Sequence, residues 1–345
     1  MQKTIYVVDD NDINLQVAED ALKEHYRIMT LPSAKRMFAL LEKIKPDLIL
    51  LDIEMPEMDG FEALQRLKAG GAHSDIPVIF LTSMNDTPTE VRGFQLGVVD
   101  FVTKPFSAPV LINRIKTHLQ IDELIRERTA QIQRLKNAIV FSFADIVEKR
   151  DQDTGGHIER TSEYIEILVK AMIARGVHAD ELRSMDLDSF ISSARLHDVG
   201  KIAISDSILN KPGKLDEKEF TTMKTHVSEG EGVINQMSSR AEDNEFLINA
   251  RLFAGYHHER WDGTGYPHGL KETEIPIQGR IMAIVDVYDA LISGRPYKKP
   301  FTQEETIEII MENSGKHFDP YIAEVFFEVK DQFYNAQKQE EGAGL

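Results

Sequence analysis

IYVVDDND, residues 5–12, runs from β-branched and aromatic side chains straight into carboxylates. A short apolar run that stops in this way reads as a buried strand with a polar end. Three more runs repeat the pattern. Leu48–Leu51 ends at Asp52, Val78–Leu81 ends at Thr82-Ser83, and Val98–Val102 leads to Lys104-Pro105. The stretches between them have helix length, and Leu15, Ala18 and Leu22 recur at helical spacing after the first. Continuously apolar strands alternating with helices predict a parallel sheet covered on both faces. Ligands of such sheets sit beyond the carboxyl ends of the strands, where all these polar residues fall.

Asp9, Asp10 and Asp52 would repel one another there unless a cation neutralised them, and hard oxygen ligands suit Mg²⁺. Lys104 can pair with a carboxylate or a phosphoryl oxygen, and the Thr82 hydroxyl can donate to a phosphoryl oxygen. One carboxylate is then free to act as a nucleophile toward phosphate. Read singly, Asp9 or Asp10 is an ordinary strand-end turn residue; the whole set in register is what points to chemistry.

Residues 3–120 resemble the receiver domain of bacterial two-component response regulators, through VVDDND, LDIEMPEMDG and VTKPF. The resemblance implies a flavodoxin-like, doubly wound α/β fold with Asp52 as phosphoacceptor. It implies Mg²⁺ held by Asp9, Asp10, Asp52 and the Glu54 backbone carbonyl. Thr82 and Lys104 would read the phosphoryl group, Phe101 would take the aromatic switch position, and a sensor histidine kinase would be the partner. Thr82 lies 30 residues and Lys104 52 residues after Asp52, the spacing of the chemotaxis receiver.

With 345 residues, the chain is too long for one ordinary domain. Its boundaries are expected at 1–120 for the receiver, 121–140 for a helical linker, 141–335 for a second domain and 336–345 for a flexible tail. The net charge is −17, which argues against a DNA-binding output, since that needs a basic face. Residues 1–120 hold 13 basic and 17 acidic residues, and residues 121–345 hold 27 and 40, so most of the excess lies in the second part. There are no cysteines, which excludes disulfides and thiolate metal sites. No apolar run approaches the roughly 18 residues of a membrane span. The N-terminal segment turns acidic where a signal peptide would stay apolar, so a cytoplasmic location is expected.

In the linker, Ile125, Ile132, Ile139 and Ile146 recur every seven residues, a coiled-coil spacing. Ile121 and Leu135 fit the companion positions, whereas Arg128 and Ser142 do not. Two readings stay open: a helix that forms a homodimer, and an amphipathic helix lying on its own domain.

Beyond residue 140 the patterning is helical, and eight of the eleven histidines lie after residue 120. They fall in DQDTGGH (151–157), HDVGK (197–201), the isolated His226, and His257-His258-Glu259, which precedes Asp262-Gly263 and Gly265-Tyr266-Pro267. Asp286 stands in an apolar helix, AIVDVYDAL, where burial without a partner would be costly. Imidazole and carboxylate suit Fe, Mn or Zn, and two such ions can activate water for phosphoryl displacement. Lys201, four residues after His197, would share its helix face and meet phosphate or the leaving oxygen. Gly200 permits close backbone approach. His226 alone reads as a surface or core histidine, the glycines and proline of 263–267 as a turn, and His178, His268 and His317 as structural.

In combination, HDVGK, HHERWDGTGYP and IVDVYDALISGRPYK resemble the HD-GYP domain of the HD phosphohydrolase superfamily, over residues 140–330. That resemblance implies an all-α bundle whose ligands are His157, His197, Asp198, His226, His257, His258 and Asp286, with Asp198 bridging. It implies two or three divalent ions, iron or manganese, and a cyclic dinucleotide substrate. Lys201 and Asp198 would be catalytic, Arg295 and Lys298 would grip the substrate, and Gly265, Tyr266 and Pro267 would line the site or contact a partner. Asp153 stands where trinuclear relatives carry a further carboxylate; a helix-start acid is the alternative. The expected function is phosphorylation-regulated hydrolysis of cyclic di-GMP to linear pGpG and then GMP. The rivals are the same chemistry on 3′3′-cyclic GMP-AMP, and an adaptor that docks diguanylate cyclases.

Overall fold

A computed structural model of the chain describes residues 2–69, 71, 73–83, 87–151, 156–241, 244–293 and 299–343. The chain divides into two compact units, residues 1–133 and 134–345. The division falls inside the segment read as a linker.

The first unit carries strands β1 (Thr4–Val8), β2 (Arg27–Leu31), β3 (Leu48–Asp52), β4 (Val78–Thr82) and β5 (Asp100–Thr103). They form one parallel sheet in the order β2-β1-β3-β4-β5. The expected doubly wound α/β fold is present, with one strand more than the four apolar runs. β2, one of the two edge strands, is partly exposed along most of its length, so its sequence RIMTL lacks a continuous apolar signature. Helices α1 (Asp12–Leu22), α2 (Ala34–Leu41), α3 (Gly60–Lys68), α4 (Thr87–Gln95) and the start of α5 (Ala108–Glu148) surround the sheet. Successive β1 side chains alternate between layers: Ile5 and Val7 pack with Leu15, Leu22 and Ile115, and Tyr6 and Val8 pack with Met37 and Leu64.

The second unit is helical, as expected. After the end of α5 come α6 (His157–Arg175), α7 (Ala179–Arg183), α8 (Leu187–Ala194), α9 (Asp206–Leu209) and α10 (Glu217–Lys224). Then follow α11 (His226–Ala241), α12 (Glu245–Tyr256), α13 (Ile277–Ile292), α14 (Gln303–Glu312) and α15 (Pro320–Ala343). Its main core joins α6, α13 and α15 through Tyr164, Tyr288, Phe326 and Phe333, whose rings pack edge to face and, for Tyr164 and Phe333, stacked. A second cluster packs Phe141, Phe143 and Ala144 of α5 against Ile234, Phe246 and Leu247. Helix α15 runs on through Ala343, into the stretch expected to form a tail. Ala336 and Gln337 within it are buried. No helix among the described residues is long and apolar enough to cross a membrane.

Candidate active site

In the second unit, helix ends bring four imidazoles together. His157 opens α6 directly after Gly156, whose φ of 96° suits glycine. His226 is the first residue of α11, His257 caps the end of α12, and His197 follows α8. Nε2 of His157 lies 3.5 Å from Nε2 of His197. Nε2 of His226 lies 3.3 Å from Nε2 of His257.

Asp198 stands between the two pairs. Its Oδ2 is 3.5 Å from His197 Nε2, and its Oδ1 is 3.4 Å from His226 Nε2 and 3.6 Å from His257 Nε2. Asp286, on α13, has Oδ1 3.9 Å from His157 Nε2. His258 completes a cluster with His226 and His257, and His157, His197 and Asp198 form another. His226, isolated in the sequence and named as a ligand only through the resemblance, joins the set because its backbone carbonyl lies where a Cβ on Gly200 would fall.

The other ring nitrogen decides what these rings can bind. Nδ1 of His197 donates to the Ala194 carbonyl at 3.0 Å, Nδ1 of His226 to Met223 at 2.7 Å, and Nδ1 of His257 to Phe253 at 3.0 Å. With Nδ1 carrying the proton, the Nε2 lone pairs are aimed at one another and at a carboxylate. Asp198 Oδ1 is buried and accepts no hydrogen bond. Buried acceptors facing acceptors are costly unless a cation lies among them. The donor set therefore fits metal ions.

Charge agrees. Burial pushes His226 down to about 4 against the opposing charge of Asp198, and pushes His258 well below the usual range. Both are free bases at neutral pH, the form that binds a cation. Burial opposes ionisation of Asp198, yet Lys201 and His197 hold its carboxyl well below the usual carboxylate range. Burial also opposes protonation of His157, but Asp289 outweighs it and lifts the ring to about 9. A metal at its Nε2 would displace that proton.

Lys201 bonds Asp198 at 2.9 Å and also Asp151. The helix face it was expected to share with His197 does not exist: Val199–Ala203 is a 3-10 turn. The tighter turn brings Lys201 back onto Asp198, three residues earlier, and Gly200 lets that turn rest on the α11 backbone. Burial opposes the Lys201 charge, but Asp198 and Asp151 raise its pKa above the usual lysine range, so it is a fixed ammonium.

A cavity of about 430 Å³ opens beside these groups, lined among others by Lys201, Arg195, Lys211, Phe220 and Tyr266. The Tyr266 ring stacks on His258 with centroids 4.9 Å apart. Gly265 and Pro267, expected at the site with it, do not line this cavity. Gly265 lies against the backbone of Glu259 and Arg260, where a Cβ would come within 2.3 Å of Arg260 N. Its role is to let the loop close. Asp153, Arg295 and Lys298 lie outside the described residues.

Three structural partners were not foreseen. Asp289 Oδ2 is 2.7 Å from His157 Nδ1, and its carboxylate is also held by Arg160. The signal was present as Asp289 three residues after Asp286 and Arg160 three after His157, each one helical turn away. Glu259 is buried and accepts from the backbone N–H groups of His268, Gly269 and Leu270, which fixes the loop after Tyr266. Asp151 holds Lys201, while its neighbour Arg150 donates to the carbonyls of Ile202 and Ile204.

In the first unit, Asp9, Asp10 and Asp52 converge at the strand ends. Lys104 bridges Asp9 at 2.6 Å and Asp52 at 2.8 Å. Asp9 and Asp52 are buried, as is Thr82 at the end of the adjoining strand, and Asp10 and Glu54 are exposed. Asn14 and the Asn11 N–H also donate to Asp9. Burial raises the Asp52 carboxyl above its usual range against the pull of Lys104. Phe101 packs edge to face on Phe80 and on Phe94 of α4.

Comparison with known proteins bears on both units. The response regulator receiver domain family matches residues 5–116, and the HD domain family matches residues 142–322. A probable cyclic di-GMP phosphodiesterase of Vibrio cholerae is 40% identical, with 98% of this chain and 80% of the relative covered. The cyclic di-GMP phosphodiesterase response regulator RpfG of Xanthomonas campestris pv. campestris is 36% identical, over 79% of this chain and 73% of its own length. The 3′3′-cGAMP-specific phosphodiesterase 2 of Vibrio cholerae is 42% identical, over 56% of this chain and 35% of its own.

Proposed function

This chain belongs to the response regulators that join a receiver domain to an HD domain, and from that premise we propose that it hydrolyses cyclic di-GMP to linear pGpG, a second cut giving GMP. The observation that carries the proposal is Asp198, whose two oxygens face separate histidine pairs beside the cavity.

His157, His197, His226, His257, His258, Asp198 and Asp286 would hold two ions, with Asp198 shared between them. Imidazole and carboxylate together suit iron or manganese. Such ions would activate water and neutralise the oxygens of an in-line phosphoryl displacement. The chain itself supplies the orientation. Lys201, fixed as an ammonium, stabilises charge on a phosphoryl or leaving oxygen. Tyr266 offers a ring at the cavity wall. Asp289 keeps the His157 ring turned toward the site.

The receiver unit regulates this activity through phosphoryl transfer to Asp52 from a sensor histidine kinase. Asp9, Asp10, Asp52 and the Glu54 carbonyl would hold Mg²⁺. Lys104 and Thr82 would contact the phosphoryl oxygens, and Phe101 would respond to them. The cytoplasm, where such kinases deliver phosphate, is the matching compartment.

A second reading keeps the chemistry and changes one base, and the likeness to a 3′3′-cGAMP-specific phosphodiesterase favours it. The test is turnover of both cyclic dinucleotides by the purified full chain, with its metal content measured. We expect cleavage of cyclic di-GMP in preference, and loss of both cleavage and metal in His197→Ala and Asp198→Ala. Folded, metal-loaded protein that leaves both substrates intact would overturn the proposal in favour of an adaptor.

A further inference from the structure

Helix α10 carries a large ring that the fold does not use. None of its residues is buried, and Phe220 on it is 49% exposed while lining the cavity. The start of the helix is fixed without that ring, by the capping box of Asp216 and Glu219. Lys224, four residues on, shares its face. The Lys224 ammonium lies 4.7 Å from the centroid of the Phe220 ring and 5.0 Å from that of Tyr266, a second ring at the cavity wall. Lys201 is held by Asp151 and Asp198, and Lys211 by Glu219. Among the described residues no carboxylate pairs with Lys224, in a chain that holds 57 acidic residues. An exposed ring and an ammonium beside it are the two elements that recognise a purine. The ring stacks on the base, and the ammonium, on a stem of four carbons, follows the base edge and donates to its acceptors. Guanine presents two adjacent acceptors, N7 and O6, whereas adenine presents N7 beside an N6 amino donor. An ammonium has donors only, so it favours guanine.

We infer that Phe220 and Lys224 form a guanine subsite, which requires a guanine in the substrate and fixes which phosphodiester is cut. This rests on the assignment of the neighbouring histidine cluster to cyclic-dinucleotide hydrolysis. The two sites adjoin: Lys224 precedes His226 by two residues, and the Tyr266 ring that borders the ammonium stacks on His258. In a mixed guanine–adenine ring the two phosphodiesters differ, one on the 3′ side of guanosine and the other on the 3′ side of adenosine. Anchoring the guanine presents one of them to the cluster. 3′3′-cGAMP then yields one linear dinucleotide, pApG or pGpA, in excess, and cyclic di-AMP, which has no guanine, is a poor substrate. Lys224 also ends α10, where any cation suits the helix dipole. That role bears on stability and leaves a product ratio untouched.

The test gives the metal-loaded full chain cyclic di-GMP, 3′3′-cGAMP, cyclic di-AMP and, as a diester without a base, bis(p-nitrophenyl) phosphate, with the products resolved by chromatography. We expect kcat/KM for cyclic di-AMP to lie below that for cyclic di-GMP by about 5- to 150-fold, the worth of one bidentate base contact, and one linear product of 3′3′-cGAMP to exceed the other. Lys224→Met keeps the stem and should bring that product ratio toward one and remove the preference over cyclic di-AMP. Lys224→Arg, which also donates to both guanine acceptors, should restore both. Phe220→Ala should raise KM for cyclic di-GMP by about 5- to 150-fold through lost stacking, and Phe220→Trp should not. A wild-type chain that cleaves bis(p-nitrophenyl) phosphate but makes both linear products equally, or cleaves cyclic di-AMP as well as cyclic di-GMP, overturns the subsite and leaves the phosphodiesterase standing. So does a product ratio that Lys224→Met leaves unchanged. A metal-loaded chain that cleaves none of the four overturns both.

Discussion

The carboxylate of Asp289 stands 2.7 Å from Nδ1 of His157, 132 residues away in sequence. The Nδ1 atoms of His197, His226 and His257 are instead held by backbone carbonyls. A carboxylate behind a metal-binding imidazole fixes its orientation and raises its basicity. Asp289→Asn should therefore weaken metal binding by about 10- to 100-fold. It should also lower the melting temperature, since the buried Arg160 loses the carboxylate to which it donates. Metal titration separates the two effects: a lower melting temperature with unchanged metal affinity would make Asp289 only a tie between α6 and α13.

Asp151 should act on rate more than on binding. Its contact with Lys201 holds the ammonium in one position beside Asp198. Asp151→Asn keeps the size and loses the charge. We expect kcat to fall on the order of 10- to 100-fold, as for a misplaced catalytic group, with KM and metal content little changed. Loss of metal would show that Asp151 supports the whole cluster.

Two glycines provide opposite signs on thermal stability. A Cβ on Gly200 would lie 1.9 Å from the His226 carbonyl oxygen and 2.3 Å from Gly230 N. These are backbone atoms, so Gly200→Ala forces the turn off α11 and should cost about 1–3 kcal/mol, the usual range for overpacking. It should also reduce bound metal, because His226 and Asp198 move apart. Gly232, on the same helix, has open space around a Cβ, and Gly232→Ala should stabilise by about 1 kcal/mol through helix propensity. Calorimetry on both variants checks the pair.

Asp52→Ala should abolish labelling of the chain by a small acyl-phosphate donor. Asp52 ends β3, is buried, and is bonded by Lys104 at 2.8 Å. Labelling that persists at the same level would mean that another side chain accepts the phosphoryl group.

What could be read from the sequence depended on how locally each signal was written. The buried strands announced themselves because both faces are covered, so every residue from Ile5 to Val8 had to be apolar. β2, partly exposed along most of its length, carried no such requirement and passed unnoticed. The histidines and Asp198 were legible as residue types in short motifs. Their division into pairs was not, because it depends on where α6, α8, α11 and α12 end in space. Asp289, Glu259 and Asp151 were missed for the same reason, since each meets its partner only after folding. Gly200 was read correctly as a point of close approach, but the turn around it was taken for helix.

The ring anchors of His197, His226 and His257 are main-chain carbonyls, at Ala194, Met223 and Phe253. Every amino acid carries that carbonyl, so a change of side chain at any of these three positions leaves the acceptor itself intact. The orientation of His197, His226 and His257 is thus buffered against mutation at its supports, provided the local helix end survives. His157 has no such protection. Its orientation is encoded in the identity of one residue, Asp289, and drift in this protein's sequence would lose that ring first.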